Sequence, residues 1–310
     1  MPTAKIRTSR DFITLVLKGM AMGAADVVPG VSGGTIAFIA GIYEELINTI
    51  GGLDTSLITT WQQDGFSAMW KKLNGNFLLA LFVGIGISVF TVMQLANYLL
   101  ETQPVLVWSF FFGLVIASVL YISRQKETWN ASHVASAIIG AVLAYYISTL
   151  PPLASGGGLW FIYLCASLAI CAMILPGISG AFILVLLGAY KTVSEAVHEF
   201  NFEIIAVFVA GAVSGLLAFS KLLRFLLSRF RESVLALLTG FIAGSLNKIW
   251  PWKEILETVE VGDKSIVLRE SSVLPAQFDG DPQVVYAVGL MLIGFSLIFV
   301  LEQIAKKKQS

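Results

Sequence analysis

The chain has 310 residues, 56% of them hydrophobic and only 13% charged, and its twenty basic and twenty acidic side chains balance to a formal net charge of zero. A soluble domain of this length carries roughly twice that charged share, and no dense basic patch with interleaved aromatics marks a nucleic-acid partner. With a mean hydropathy of +0.82, the composition describes an all-α, polytopic membrane protein.

In chain order, the first 28 residues imitate a secretory signal, with Lys5, Arg7 and Arg10 ahead of an apolar run and small residues at Ala21, Gly23, Ala24 and Ala25. Lys18 interrupts that run and a similar segment recurs far inside the chain, so the segment is expected to stay in the mature protein. An apolar arm at 12–28 meets Pro29-Gly30, and a second arm follows at 33–50. After a loop at roughly 51–76 come three stretches nearly free of charge, 77–100, 105–122 and 133–150. Arms at 159–175 and 180–197 flank Pro176-Gly177, and helices are expected at 203–227, 233–250 and 284–302. Stretches of about 18 residues or more can cross a hydrocarbon core of about 30 Å. Cys165 and Cys171 fit neither a metal knuckle nor a redox pair and read as packing residues; no metal, cofactor or catalytic group is expected.

Self-similarity organises these elements. Pro29-Gly30-Val31-Ser32-Gly33-Gly34 is matched by Pro176-Gly177-Ile178-Ser179-Gly180-Ala181, and Gly41 and Tyr43 match Gly188 and Tyr190 at the same offset. Gly84 then aligns with Gly211, Leu99 with Leu226, Gly113 with Gly240 and Ser118 with Ser245 at a second constant offset. The chain therefore divides into 1–150 and 151–310, each a broken hairpin followed by three spanning helices.

Charge sets the orientation, because cytoplasmic loops carry the Lys and Arg excess. An inside N-terminus places Lys5, Arg7, Arg10, Lys71, Lys72, Arg124, Lys126, Arg229, Arg231 and Lys306 to Lys308 in the cytoplasm. The opposite face collects Glu101, Glu195, Glu199, Glu203 and the loop 251–283, which has seven acids against three bases. A unit with an odd number of crossings inverts its second copy, an architecture of transporters. Both termini are then cytoplasmic.

Proline and glycine at 29–30 and 176–177 interrupt helical hydrogen bonding, and non-helical backbone at membrane depth requires protein or water around it. The short arms read as two re-entrant hairpins with Pro29 and Pro176 near the midplane; two full spans with surface turns are the alternative. At the midplane, Ser32 and Ser179 are natural N-caps, and the tips would offer backbone amides to an anion. Gly33, Gly34 and Gly180 would let it approach. The candidate phosphate site is Pro29, Gly30, Ser32, Gly33, Gly34, Thr35, Pro176, Gly177, Ser179 and Gly180. The bland reading of each motif is a tight, closely packed turn.

An ionisable group within the membrane is a functional candidate. Asp26, whose counterpart is Met173, is a candidate for proton or sodium coupling; alternatively it pairs with Lys18 or caps amides at the break. Glu44, Glu45 and Lys191 are possible gating residues, and Lys221 and Arg224 are secondary headgroup candidates or snorkelling cations. His198 reads as a surface residue, and most of the tryptophans, Trp250 and Trp252 among them, read as interfacial.

The run Gly23-Ala24-Ala25-Asp26-Val27-Val28-Pro29-Gly30-Val31-Ser32-Gly33-Gly34-Thr35, with Leu175-Pro176-Gly177-Ile178-Ser179-Gly180, resembles the PopT family of bacterial polyprenyl-phosphate transporters over essentially the whole chain. The resemblance implies a flippase in the cytoplasmic membrane that returns undecaprenyl phosphate from the outer to the inner leaflet for cell-envelope synthesis. Composition and spacing alone reach a transporter with an anion site. Intramembrane polyprenyl-diphosphate phosphatases share a Pro-Gly-x-Ser-Arg-Ser motif, but Gly33 and Gly180 stand at its arginine position. An ion-coupled carrier of a small soluble anion is the remaining alternative.

Overall fold

The computed structural model describes residues 8–27, 32–125, 128–153, 157–261 and 264–307. Pro29 and Gly30 lie outside the described residues, as do Lys126 and Lys308. The chain forms α1 (Ser9–Val27), α2 (Gly33–Ile39), α3 (Tyr43–Ile50), α4 (Ser56–Lys72), α5 (Gly75–Thr102), α6 (Pro104–Gln125) and α7 (Ala131–Thr149). There follow α8 (Leu159–Ile174), α9 (Gly180–Leu186), α10 (Tyr190–His198), α11 (Phe202–Gly244) and α12 (Val284–Lys307). Among the described residues, four helices are long and apolar enough to cross a membrane: those at Gly75–Val92, Pro104–Arg124, Ala131–Thr149 and Phe202–Ile249. Phe90, Val142, Val285 and Leu292 point outward, an exposed apolar surface of the kind that lipid covers.

Four features depart from the sequence reading. The arms at 33–50 and 180–197 are not continuous, because each breaks at a glycine in the left-handed region, Gly41 at φ 69° and Gly188 at φ 70°. Both breaks are closed identically: the Gly41 and Ile42 amides donate to Phe38 and Ala37, and those of Gly188 and Ala189 donate to Val185 and Leu184. Such a glycine cap satisfies the last carbonyls of a helix and turns the chain away, and α10 leaves α9 at 111°.

The helices expected at 203–227 and 233–250 run together as α11, with non-helical backbone at Phe230. At 1.5 Å per residue this stretch measures roughly 60 Å, about twice a hydrocarbon core, so it is long enough for two crossings. The loop at 51–76 contains α4, kinked at Gly65. Finally, the loop 251–283 holds an antiparallel hairpin, β1 (Lys253–Val261) on β2 (Lys264–Ser272), which adds a small sheet to an otherwise helical chain. Trp250 and Trp252 anchor it through indole hydrogen bonds to the carbonyls of Val273 and Pro282. Trp252 is buried within the protein.

Helix pairs approach through glycines, as expected where small residues must replace the hydrophobic drive absent in lipid. Gly84 in α5 rests on the carbonyl of Val16 in α1, and its counterpart Gly211 in α11 rests on that of Tyr163 in α8. Gly113 in α6 meets the carbonyl of Met291 in α12, while Gly240 in α11 meets that of Ala137 in α7. Gly294 likewise meets Phe110, and Gly140 meets Leu237. Thus α6 pairs with α12, and the later part of α11 pairs with α7.

Candidate functional site

The first hairpin is organised by α1. Asp26 near its end accepts the Gly33 amide on Oδ1 at 2.6 Å, and Lys18 two turns earlier donates to the Ala40 carbonyl at 2.6 Å. Their separation of eight positions spans about 12 Å, matched to the seven-residue α2 at about 10 Å. The acid sits at the positive end of α2 and the base at its negative end, the arrangement favoured by the helix dipole. Asp26 is thus a backbone cap at the break, one of the alternatives considered, and Lys18 reaches the opposite end of α2.

Ser32 caps α2 as expected, its Oγ accepting the Gly34 amide at 3.1 Å. That hydroxyl also donates across the molecule to the Met173 carbonyl at 3.4 Å. Thr35 Oγ1 accepts the Gly177 amide at 2.8 Å, and a Cβ added to Gly34 would lie 2.9 Å from the Ile174 carbonyl. Each tip therefore rests on the other, with Ser32, Thr35 and Pro176 buried. Gly177 takes φ 93°, a conformation that glycine adopts without strain.

The two tips are chemically unequal. Met173 stands where Asp26 does in the first copy, and Ser179 makes no capping bond to α9. Asp26, Ser32, Ser179 and Gly180 border one cavity of about 290 Å³, walled elsewhere by Ala166, Ala169, Ile170 and Met173 of α8, Ala181 and Leu184 of α9, and Phe208 and Ala212 of α11. At about 30 Å³ per water, it has room for a phosphate group. Among the described residues, its wall holds one acid, two hydroxyls and no basic side chain.

The remaining candidates lie away from this cavity. Arg231, beside the break in α11, grips Glu44 with Nη2 at 2.6 Å and Nε at 3.0 Å, tying α3 to α11. Glu45 accepts from Asn74 at 2.9 Å. Arg224 donates to the Gly51 carbonyl at 3.2 Å, and Lys221 is exposed. Lys191 pairs with Glu195 at 3.7 Å along one exposed helix face, and His198 is exposed. Cys165 is buried, and Cys171 faces the Gly215 carbonyl.

The chain matches the VCA0040-like family, described as undecaprenyl phosphate translocase-like, over residues 22–267. It is 44% identical over 302 residues to a polyprenyl-phosphate transporter of Vibrio cholerae, covering 96% of this chain and 98% of that one. The chain belongs to the undecaprenyl phosphate translocase-like family. A polyprenyl-phosphate transporter of Staphylococcus aureus is 33% identical over 255 residues, covering 76% of this chain and 85% of the relative. No solved structure is significantly similar. The apolar helices fit a multi-pass membrane protein, and the translocase-like match embraces both tips and every residue that borders the cavity.

Sequence reasoning missed part of the wall. Met173 was noted only as the residue opposite Asp26, and nothing in the local sequence marks Phe208 or Ala212, whose place follows from how α11 packs on α8. A Cβ added to Gly215, one turn on, would lie 2.6 Å from the Ser167 carbonyl oxygen, and this glycine carries the available signal, a small residue one turn after Gly211.

Proposed function

We propose that this protein moves a polyprenyl phosphate, of the undecaprenyl type, from the outer to the inner leaflet of the bacterial cytoplasmic membrane, so that the carrier lipid re-enters cell-envelope synthesis. The observation that carries the proposal is the convergence of Ser32, Ser179 and Asp26 on one cavity of about 290 Å³ in a chain of this family. The phosphate occupies the cavity while the tail stays in lipid. Ser179 and the backbone of Gly180 receive it, because the first tip's Gly33 and Gly34 amides are engaged by Asp26 and Ser32.

Charge then dictates coupling. Among the described residues, a phosphate entering this cavity meets a carboxylate and no basic side chain. Two like charges at about 4 Å and an effective dielectric of 20 repel by about 4 kcal/mol, so the headgroup enters together with a proton on Asp26 or with a cation beside it. The same absence of a fixed cation favours a carrier over a phosphatase, whose transition state needs charge stabilisation.

The supporting architecture is an inverted pair of repeats, 1–150 and 151–310, with re-entrant tips and cytoplasmic termini. Its support is the recurrence of equivalent glycine contacts, Gly84–Val16 with Gly211–Tyr163 and Gly113–Met291 with Gly240–Ala137, together with identical breaks at Gly41 and Gly188.

Reconstitution into liposomes tests the reading. With a polyprenyl phosphate placed in one leaflet, the protein is expected to accelerate its appearance in the other, and Ser179→Ala should slow this about tenfold or more, since a hydrogen bond to a charged group contributes about 1.5–3 kcal/mol. Acceleration equal to that of protein-free liposomes would refute transport. Unchanged flux in a folded Ser179→Ala protein would remove the phosphate from this cavity.

A further inference from the structure

Beside the second tip, three charged side chains gather that the cavity does not use. Lys248, in the short 3-10 turn at Ser245–Ile249, places Nζ 2.8 Å from Glu270 Oε1, and Lys253 of β1 places its own Nζ 2.6 Å from the same oxygen. Lys253 also donates to the Lys248 carbonyl and lies 5.0 Å from the centre of the Trp108 ring, while Lys248 lies 4.5 Å from the centre of Phe182. The side chains of Lys248, Lys253 and Glu270 are only 23%, 10% and 21% exposed. The cluster joins α6, α9 and both strands.

Among the described residues, these two ammonium groups share one carboxylate, so one positive charge is left over. Removing charges from water is costly unless they are paired, and burial pushes Lys253 down to about 8 despite its carboxylate partner. A single lysine facing Glu270 would anchor the hairpin; the second adds charge that anchoring does not require. The more exposed of the two, Lys248, borders a narrow cleft of about 10 Å³, wide enough for about one water, with Ser148, Gly177, Ser179 and Phe182. Ser179 borders the large cavity as well, so one hydroxyl is common to the cleft and the proposed headgroup chamber.

We propose that Lys248 is an oxyanion-binding cation for phosphate monoesters at the hairpin-side mouth of the second tip, with Glu270 as the counter-ion that holds it when no anion is bound. An arriving phosphate exchanges with Glu270 on Lys248 at the mouth of this cleft, which must widen before the headgroup passes Ser179 into the chamber. Lys253 retains the displaced carboxylate. The inference rests on the transport reading for the identity of the lipid, but the cation and its anion chemistry stand on the geometry alone.

The experiment is equilibrium binding to the purified full-length protein in detergent, using inorganic phosphate, a short-chain polyprenyl monophosphate and the neutral polyprenol of the same length. Lys248→Gln is expected to raise the Kd for the monophosphate about tenfold, as the loss of one charged hydrogen bond implies, and Lys248→Arg to restore it. Glu270→Gln should tighten binding, because it removes the competing anion. The polyprenol should respond to none of these changes.

A folded Lys248→Gln protein with unchanged affinity overturns the site, and so does Glu270→Gln binding more weakly than the parent, which is what a purely structural cluster gives. If Lys248→Gln does not fold, Glu270→Gln alone decides. Binding of polyprenyl phosphate that ignores Lys248 leaves the transport reading standing and removes this site. Lys248-dependent binding of inorganic phosphate without the lipid does the reverse, and binding of neither removes both.

Discussion

Asp26 and Lys18, on the same helix, hold the two ends of one other helix: the carboxylate takes the first amide of α2 and the ammonium takes its last carbonyl. The seven-residue α2 is too short to be stable by itself, so its position depends on this clamp and on the packing around Phe38 and Tyr43, whose rings meet edge-on at 5.3 Å. If Asp26 is protonated as the headgroup enters, the Gly33 amide loses a charged acceptor and the grip on α2 weakens. Loading and loosening would then be one event.

Asp26→Asn separates charge from capping, since an amide oxygen still accepts the Gly33 amide. We expect the variant to fold with near-parental stability and to transport with a flattened pH dependence, while Asp26→Ala loses about 1 kcal/mol of cap energy as well. Flux assays across pH 6 to 8 with thermal unfolding of both variants check this. An Asp26→Asn protein whose flux follows the parental pH profile would exclude the coupling role, and dependence on sodium instead of pH would identify the ion.

Gly84 and Gly86 sit two residues apart on α5 and should respond oppositely to alanine. A Cβ at Gly84 runs into the Val16 carbonyl, whereas nothing lies within 4 Å of one at Gly86. Gly84→Ala is expected to destabilise by about 1–3 kcal/mol, and Gly86→Ala to stabilise by up to about 1 kcal/mol through helix propensity. Equal melting temperatures for the two variants would contradict the close contact between α1 and α5.

The link from Arg231 to Glu44 has good geometry but stands in solvent, with side chains 55% and 37% exposed. A double-mutant cycle should give a coupling of about 1 kcal/mol or less, falling as salt is raised. Coupling well above that, or insensitive to salt, would mean that α3 and α11 close more tightly than this arrangement and would favour a gate at Glu44.

Lys253 gives stability a defined pH dependence. Burial lowers its folded value to about 8 from 10.5, so between those values the unfolded chain binds more protons and stability rises with pH. The charges facing it are Lys248 and Glu270, and Glu270 stays ionised throughout, because the two lysines hold it below its usual range despite burial. Thermal unfolding from pH 7 to 10 should show the parent gaining on Lys253→Met over this window. Parallel curves would refute the buried ammonium.

The sequence carried the repeated motif, the cap at Ser32 and most helix positions, because these depend on local chemistry; the matching cap expected at Ser179 is not made. It did not carry the breaks at Gly41 and Gly188. Their recurrence was visible, but an isolated glycine in an apolar helical run costs only about 1 kcal/mol and is compatible with either a helix or its end; the left-handed cap that decides it emerges from the backbone. Asp26 illustrates a different limit. Its capping role is one of three readings the sequence allows, and the distance to Gly33 establishes the cap without deciding the coupling role. Lys248 was hidden for a third reason, since its partner Glu270 arrives through strand register, Ile255 opposite Glu270, in a segment that charge counting treated as one acidic loop.

The exchange of partners between α6 and α12 and between α7 and α11 has a consequence for biogenesis. Synthesis runs from the N-terminus, so the face of α6 carrying Phe110 and Gly113 enters the membrane well before Met291 and Gly294 of α12 exist to cover it. The first half of the chain must wait, inserted but unsealed, until the last helix is made. A chain ending before Val284 is therefore expected to reach the membrane yet be cleared by proteolysis, and co-expression of α12 as a separate segment to rescue it. Accumulation of the truncated chain at the full-length level would show that α6 is stable without its partner.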